Sequence, residues 1–149
     1  MPLNIRMITL GRILGVDWGT KHIGLAISDP TRTIARPLKT LSHQSRKIDA
    51  HRIISTASEN EVELIVVGVS YDDCGNLNPA GRSANRLLEE IRGLSSIPVV
   101  PCDEGFSTNE AQESAIKMNL PRKKRKGHLD AVAAAFILQE YLNNTIDEK

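Results

Sequence analysis

A chain of 149 residues, 40% hydrophobic and 25% charged, is most simply a single domain over 1–149 with a core of its own. Its formal net charge of +1 excludes a polycation, and no apolar run reaches the roughly 18–20 residues needed to cross a bilayer. Residues 1–12 carry no apolar block with a small-residue cleavage site, and Cys74 and Cys102 belong to no CxxC pair; free thiols and a cytoplasmic location without membrane attachment are expected.

The first third of the chain reads as β-structure. Arg12 to Asp17, His22 to Ser28 and Thr33 to Leu41 are short strand-like runs joined by turn residues. Pro37 marks the third as an edge or bent strand, because proline cannot donate to a ladder. The period then changes: Ile48, Ile53, Ile54 and Ala57 recur at helical spacing over Ser45 to Asn60. Val62 to Ser70, "VELIVVGVS", has the continuous apolar character of a parallel strand buried on both faces.

After a polar loop, Asn78 as N-cap and Pro79 in the first turn predict a helix carrying Leu87, Leu88, Ile91 and Leu94. Ile97 to Asp103 is a fifth strand. Ser107-Thr108 with Glu110 is placed to cap a short helix over Asn109 to Met118. A basic loop, "RKKRK" (Arg122 to Lys126), precedes a long final helix beginning near "HLDAVAAAF". The order β-β-β-α-β-α-β-α-α predicts an α/β mixed five-stranded sheet, an antiparallel meander followed by αβ units, with helices packed on it.

Three carboxylates stand in unusual places. Asp17 ends the first strand, and Asp103 and Glu104 end the fifth; if both strands are parallel, these acids share the carboxyl edge where α/β sheets usually work. The third, Asp130, falls inside the apolar arc that Leu129, Val132, Ala133, Phe136, Ile137 and Tyr141 draw on the final helix. A lone buried carboxylate costs several kcal/mol unless something positive meets it. Each acid alone has an ordinary explanation: a turn cap, an exposed strand end, a first-turn residue favoured by the helix dipole. Together they suit a hard cation, Mg²⁺ or Mn²⁺. Two such ions about 3.5–4 Å apart activate water against a phosphodiester. The basic run would then hold a phosphate backbone without reading sequence, although such a run taken alone is more often a solvated loop. An aromatic content of 3% argues against an extended base-stacking platform.

With these residues identified, the chain resembles the YqgF/RuvX-like family, whose members are described as pre-16S rRNA nucleases and as Holliday-junction resolvase-like proteins. The resemblance covers Ile13 to Leu142 and rests on "LGVDWGTKHIGLAISD", "IVVGVS", "GNLNPAGRSANRLLEEI", "PVVPCDEGFSTNEA" and "RKKRKGHLDAVAAAFILQEYL" in that order. It implies an RNase H-like fold and a divalent-metal nuclease site formed by Asp17, Glu104 and Asp130, with Glu104 preferred to Asp103. It also implies nucleic-acid contacts from Lys21, Arg82, Arg122, Lys123, Lys124, Arg125 and Lys126. Asp17 and Asp130 would serve the attacking water, Asp17 and Glu104 the scissile phosphate.

Gly105 departs from the arginine usual in the family, and Trp18 replaces a smaller apolar residue, placed to pack on the sheet or to border the site. The implied substrate is structured RNA, with 5′-end processing of pre-16S rRNA as the setting and a monomer or homodimer as the acting form. The alternatives are a four-way DNA junction, a non-catalytic RNA or transcription module, and a nucleotide-binding domain. The last lacks a second Gly-rich phosphate loop.

Overall fold

The computed structural model describes residues 11–104 and 122–147, with side chains placed over 11–104 and 130–145. Its elements are β1 (Arg12–Asp17), β2 (His22–Ser28), β3 (Ala35–Ser42), α1 (Arg46–Glu59), β4 (Val62–Val69), α2 (Pro79–Leu94), β5 (Val99–Asp103) and α3 (Arg122–Asp147). The strands form one sheet in the order β3-β2-β1-β4-β5. β1 runs antiparallel to β2, and β2 to β3, while β1, β4 and β5 are mutually parallel. The mixed sheet expected from the sequence is the one observed. The fifth strand starts two residues later than expected, and the third runs from Ala35 to Ser42 rather than from Thr33 to Leu41.

β3 is an edge strand, and its register with β2 shifts between Leu25 and Ala26, where Pro37 takes its place in the ladder. Serine and asparagine caps start the first two helices. Ser45 accepts from the Ile48 N–H, and Asn78 from the Gly81 N–H, with Pro79 in the first turn of α2. Of the four apolar residues the sequence places on α2, Leu87, Leu88 and Ile91 are buried and Leu94, at its end, is 39% exposed. The short helix expected over Asn109 to Met118 lies outside the described residues.

One expectation is corrected. Arg122 to Lys126 is not a loop: its backbone is already helical, and α3 begins at Arg122. Five long unbranched side chains lose little rotamer freedom in a helix, so the run favours the helix it was expected to precede.

Two apolar layers flank the sheet. Leu14, Val16, Ile23, Leu25, Ile65 and Val67 meet α1 and α2. Ile13, Ala26 and Val66 meet Ala134, Leu138 and Leu142 of α3. The alternation along β1 follows the two-residue period of a strand: Ile13, Gly15 and therefore Asp17 face α3, whereas Leu14 and Val16 face the other helices.

Glycines let α3 approach. A Cβ on Gly24 would overlap the backbone carbonyl of Asp130, and one on Gly15 would stand 2.9 Å from Leu138 Cβ. On Gly68 it would stand 2.8 Å from Ile137 Cδ1 and 3.0 Å from Glu104 Oε2. Gln139 fixes the helix laterally, accepting from the Ala35 N–H at 2.9 Å and donating to the Thr33 carbonyl at 3.0 Å.

Because the obstacle at Gly24 is backbone, Gly24→Ala is expected to destabilise the protein by about 3 kcal/mol or more in urea unfolding. Gly93, with open space around it in α2, is the contrast: Gly93→Ala should stabilise by about 0.5–1 kcal/mol.

Candidate functional site

All three parallel strands end at the same edge of the sheet, and α3 runs from that edge back along β1, with Asp130 against Gly24 and Leu138 against Gly15. Asp17 is the last residue of β1 and pairs with Gly24 of β2. Glu104 follows β5, with its N–H donated to the Val69 carbonyl at 3.0 Å. Its position two residues beyond Cys102, which packs on the α3 layer, puts it on the same face as Asp17. Asp103 has the opposite parity and is exposed.

The Asp17 and Glu104 carboxyls lie close enough to share a proton when one of them is protonated. Burial holds Asp17 well above the usual carboxylate range, and the negative charges of Glu104 and Asp130 add to the shift. Glu104 is raised as well, first by burial; hydrogen bonds with Asp17 and Ser70 oppose that shift, and the charge of Asp103 supports it. The structure therefore brings Asp17 and Glu104 into contact and sets Asp130 within electrostatic reach of Asp17. Asp130 Oδ2 also lies 3.7 Å from His22 Nδ1, with each side chain about one-third exposed. The side chain beside Asp130 is thus a histidine at the start of β2, and the acid is half-buried rather than enclosed.

Supporting groups surround these acids. The Ser70 hydroxyl donates to Asn78 Oδ1 at 2.7 Å and stands beside Glu104, so the N-cap of α2 and the acid beyond β5 meet at one side chain. Cys102 is no competing nucleophile. Burial and the charges of Glu140, Asp103 and Glu104 push its thiol up to about 11. Among the described residues, no three His, Cys, Asp or Glu side chains form a ready-made metal-binding group.

Of the expected nucleic-acid contacts, Lys21 is exposed in the β1–β2 turn at this same edge. Arg82 is exposed on the first turns of α2, its guanidinium donating to the Leu77 carbonyl at 3.0 Å. Arg122, Lys123, Lys124, Arg125 and Lys126 occupy the start of α3, roughly 6–12 Å of helix beyond Asp130 and past the sheet edge; their side chains lie outside the described residues, as does Gly105.

A family model described as "RuvX: Holliday junction resolvase" matches residues 11–144. The chain belongs to the RuvX family. It is 42% identical over 134 residues, 89% of this chain and 96% of the relative, to a Thermoanaerobacter pseudethanolicus protein named "Putative pre-16S rRNA nuclease". An Endomicrobium trichonymphae protein of the same name is 37% identical over 140 residues, 93% of this chain and 100% of its own.

Among solved structures, this RuvX-family chain is similar to Thermus thermophilus RuvC in complex with a Holliday junction substrate. The TM-score is 0.59 at 16% identity, covering 92% of this chain and 96% of that one. The fowlpox virus resolvase, also in complex with junction DNA, superposes with a TM-score of 0.55 at 15% identity, covering 91% and 99%. At such identities the likeness establishes the fold, which is RNase H-like α/β.

Some of the site was not anticipated from the RuvX-family motifs. His22 shares the α3-facing parity of Gly24 and Ala26, a signal present in the period-2 pattern of β2. Gly15, Gly24 and Gly68 interrupt otherwise apolar strands, the pattern that marks close backbone approach.

A carboxyl with a higher pKa folded than unfolded costs the native state stability as pH rises from its unfolded value toward the raised one. In metal-free protein, Asp17→Asn is therefore expected to melt at a higher temperature than wild type at neutral pH. The difference should close as pH falls toward the ordinary carboxylate value of 3.8. Calorimetry of both proteins across pH checks this.

Proposed function

We propose that this protein hydrolyses phosphodiester bonds in structured RNA, with the 5′ end of pre-16S rRNA as its substrate, and that Asp17, Glu104 and Asp130 are its catalytic acids. The observation that carries the reading is the crowding of Asp17 with Glu104, and its exposure to the charge of Asp130, at the carboxyl edge of the parallel strands. Family membership and two relatives named for pre-16S rRNA nuclease activity support it.

The donor set suits a hard divalent cation. Carboxylate oxygens are the ligands Mg²⁺ and Mn²⁺ prefer, and Mg²⁺ keeps several waters, so two or three acids are sufficient. Carboxyls held above their usual range by burial and by neighbouring negative charge are the groups that a cation relieves most. Asp17, flanked by both other acids, is the natural shared ligand, with Glu104 and Asp130 completing the set. When bound, the cation supplies a water of lowered pKa and charge neutralisation at the cleaved phosphate.

The chain's own groups do the positioning. The Glu104 N–H bonds the Val69 carbonyl at the end of β4, Ser70 stands beside the Glu104 carboxyl, and His22 stands beside Asp130. The glycines of β1, β2 and β4 set the separation of α3 from the sheet. Lys21 and the basic start of α3 meet the phosphate backbone at that edge and carry affinity without sequence reading.

A four-way DNA junction is the second reading, favoured by the description of the matching family model. Cutting two strands symmetrically requires a two-fold dimer.

Asp17→Asn and Asp130→Asn are each expected to slow cleavage of precursor ribosomal RNA at least about 100-fold in Mg²⁺ or Mn²⁺, the loss of several kcal/mol of transition-state stabilisation. A gel assay with that RNA and with a synthetic junction in parallel decides between the substrates. Unchanged rates in both variants would overturn the assignment of the acids.

A further inference from the structure

On the face of the sheet away from the acids, Trp18, His43, Arg46, Ser83, Arg86 and Leu87 line a cavity of about 210 Å³. Trp18 follows Asp17 directly but packs with the α1/α2 layer, because successive residues of an extended chain point to opposite faces. Its indole meets the His43 imidazole edge-on, with ring centroids 6.0 Å apart at 71°. His43 is itself fixed: Nδ1 hydrogen-bonds to the carboxylate of Asp49, which is fully buried in the first turns of α1. Asp49 also accepts from the Gln44 N–H at 3.1 Å. The wall that carries the indole is therefore rigid.

The charge of the lining is one-sided. Arg46 and Arg86 are both exposed, no carboxylate lines the cavity, and among the described residues neither arginine is in an ion pair. Arg86 donates to Ser83 Oγ at 3.2 Å, which leaves most of its donors unused. Arg46 occupies the first position of α1, the end of a helix where a cation is disfavoured by the dipole and an anion is welcome. The volume is below the roughly 300–1,000 Å³ of sites that enclose a whole small molecule, so it suits part of a ligand. An aromatic face beside unpaired guanidinium groups is the chemistry that receives one unpaired nucleotide, base on indole and phosphate on arginine.

We propose that this cavity binds an unpaired nucleotide of the substrate strand adjoining the cleaved bond. The strand would cross the sheet edge between Asp17 on one face and Trp18 on the other, positions one Cα–Cα step of about 3.8 Å apart. The placement beside the cleaved bond rests on the nuclease reading; the nucleotide site itself does not.

Trp18 is the sole tryptophan of the chain, so its emission reports on the cavity directly. Titrating the full chain in EDTA with a short single-stranded oligouridylate should quench that emission saturably. Arg46→Gln and Arg86→Gln should each weaken binding about 5–10-fold and lower the log–log salt slope by about 0.7. Arg36→Gln, on the exposed edge strand β3, should change neither. Emission unmoved by saturating oligonucleotide, or moved equally by inorganic phosphate alone, would overturn the proposal. So would equal losses in Arg36→Gln and Arg46→Gln. Quenching in a protein that cleaves nothing would support the nucleotide site while removing the nuclease reading. Acid-dependent cleavage without quenching would do the reverse.

Discussion

The arrangement of this protein depends on how near α3 comes to the sheet. Helix and strand backbones are normally held apart by the side chains between them. At Gly24 that spacer is missing, and the Asp130 carbonyl occupies the space a Cβ would need. Gly15 and Gly68 extend the same close approach across β1 and β4. An alanine-rich helix surface, with Ala131, Ala133, Ala134 and Ala135 buried, answers the glycines from the other side. Small residues on both surfaces bring a charged group of the helix within the field of a charged group at a strand end.

That proximity is electrostatically unfavourable without a counter-charge. Asp17 and Glu104 are raised first because burial removes their hydration; Asp17 also faces the charges of Glu104 and Asp130, and Glu104 that of Asp103. The fold tolerates the strain locally because both lie at the sheet edge, where Ser70 stands beside Glu104 and His22 beside the third acid. Buried apolar layers on both faces, each several residues deep, hold the edge in place. The stability of the core thus supports a site that is itself destabilising, the usual relation between a rigid scaffold and its reactive groups.

Much of the fold was legible because the signals were local. The cap at Asn78-Pro79, the β-branched run over Val62–Val69 and the proline of the edge strand each state a conformation through their own sterics and hydrogen bonding. The basic stretch misled because a charge run was read by polarity, whereas lysine and arginine are good helix formers and the backbone follows that preference. Helical periodicity places a residue on a face but does not say where the partner surface ends, and Leu94 at the end of α2 is 39% exposed.

Sequence alone determined the order of the described strands and helices, the three acids at strand ends and on the last helix, and the family to which the chain belongs, because these follow from short-range pattern and from motif spacing. Only the tertiary structure decided that Asp17 touches Glu104, that His22 is the neighbour of Asp130, and that Trp18 turns away from the acids into a cavity with Arg46 and Arg86. Those relations join residues 28 to 108 positions apart, and no local propensity encodes a contact that exists only once two packed layers have fixed the distance between distant stretches of chain.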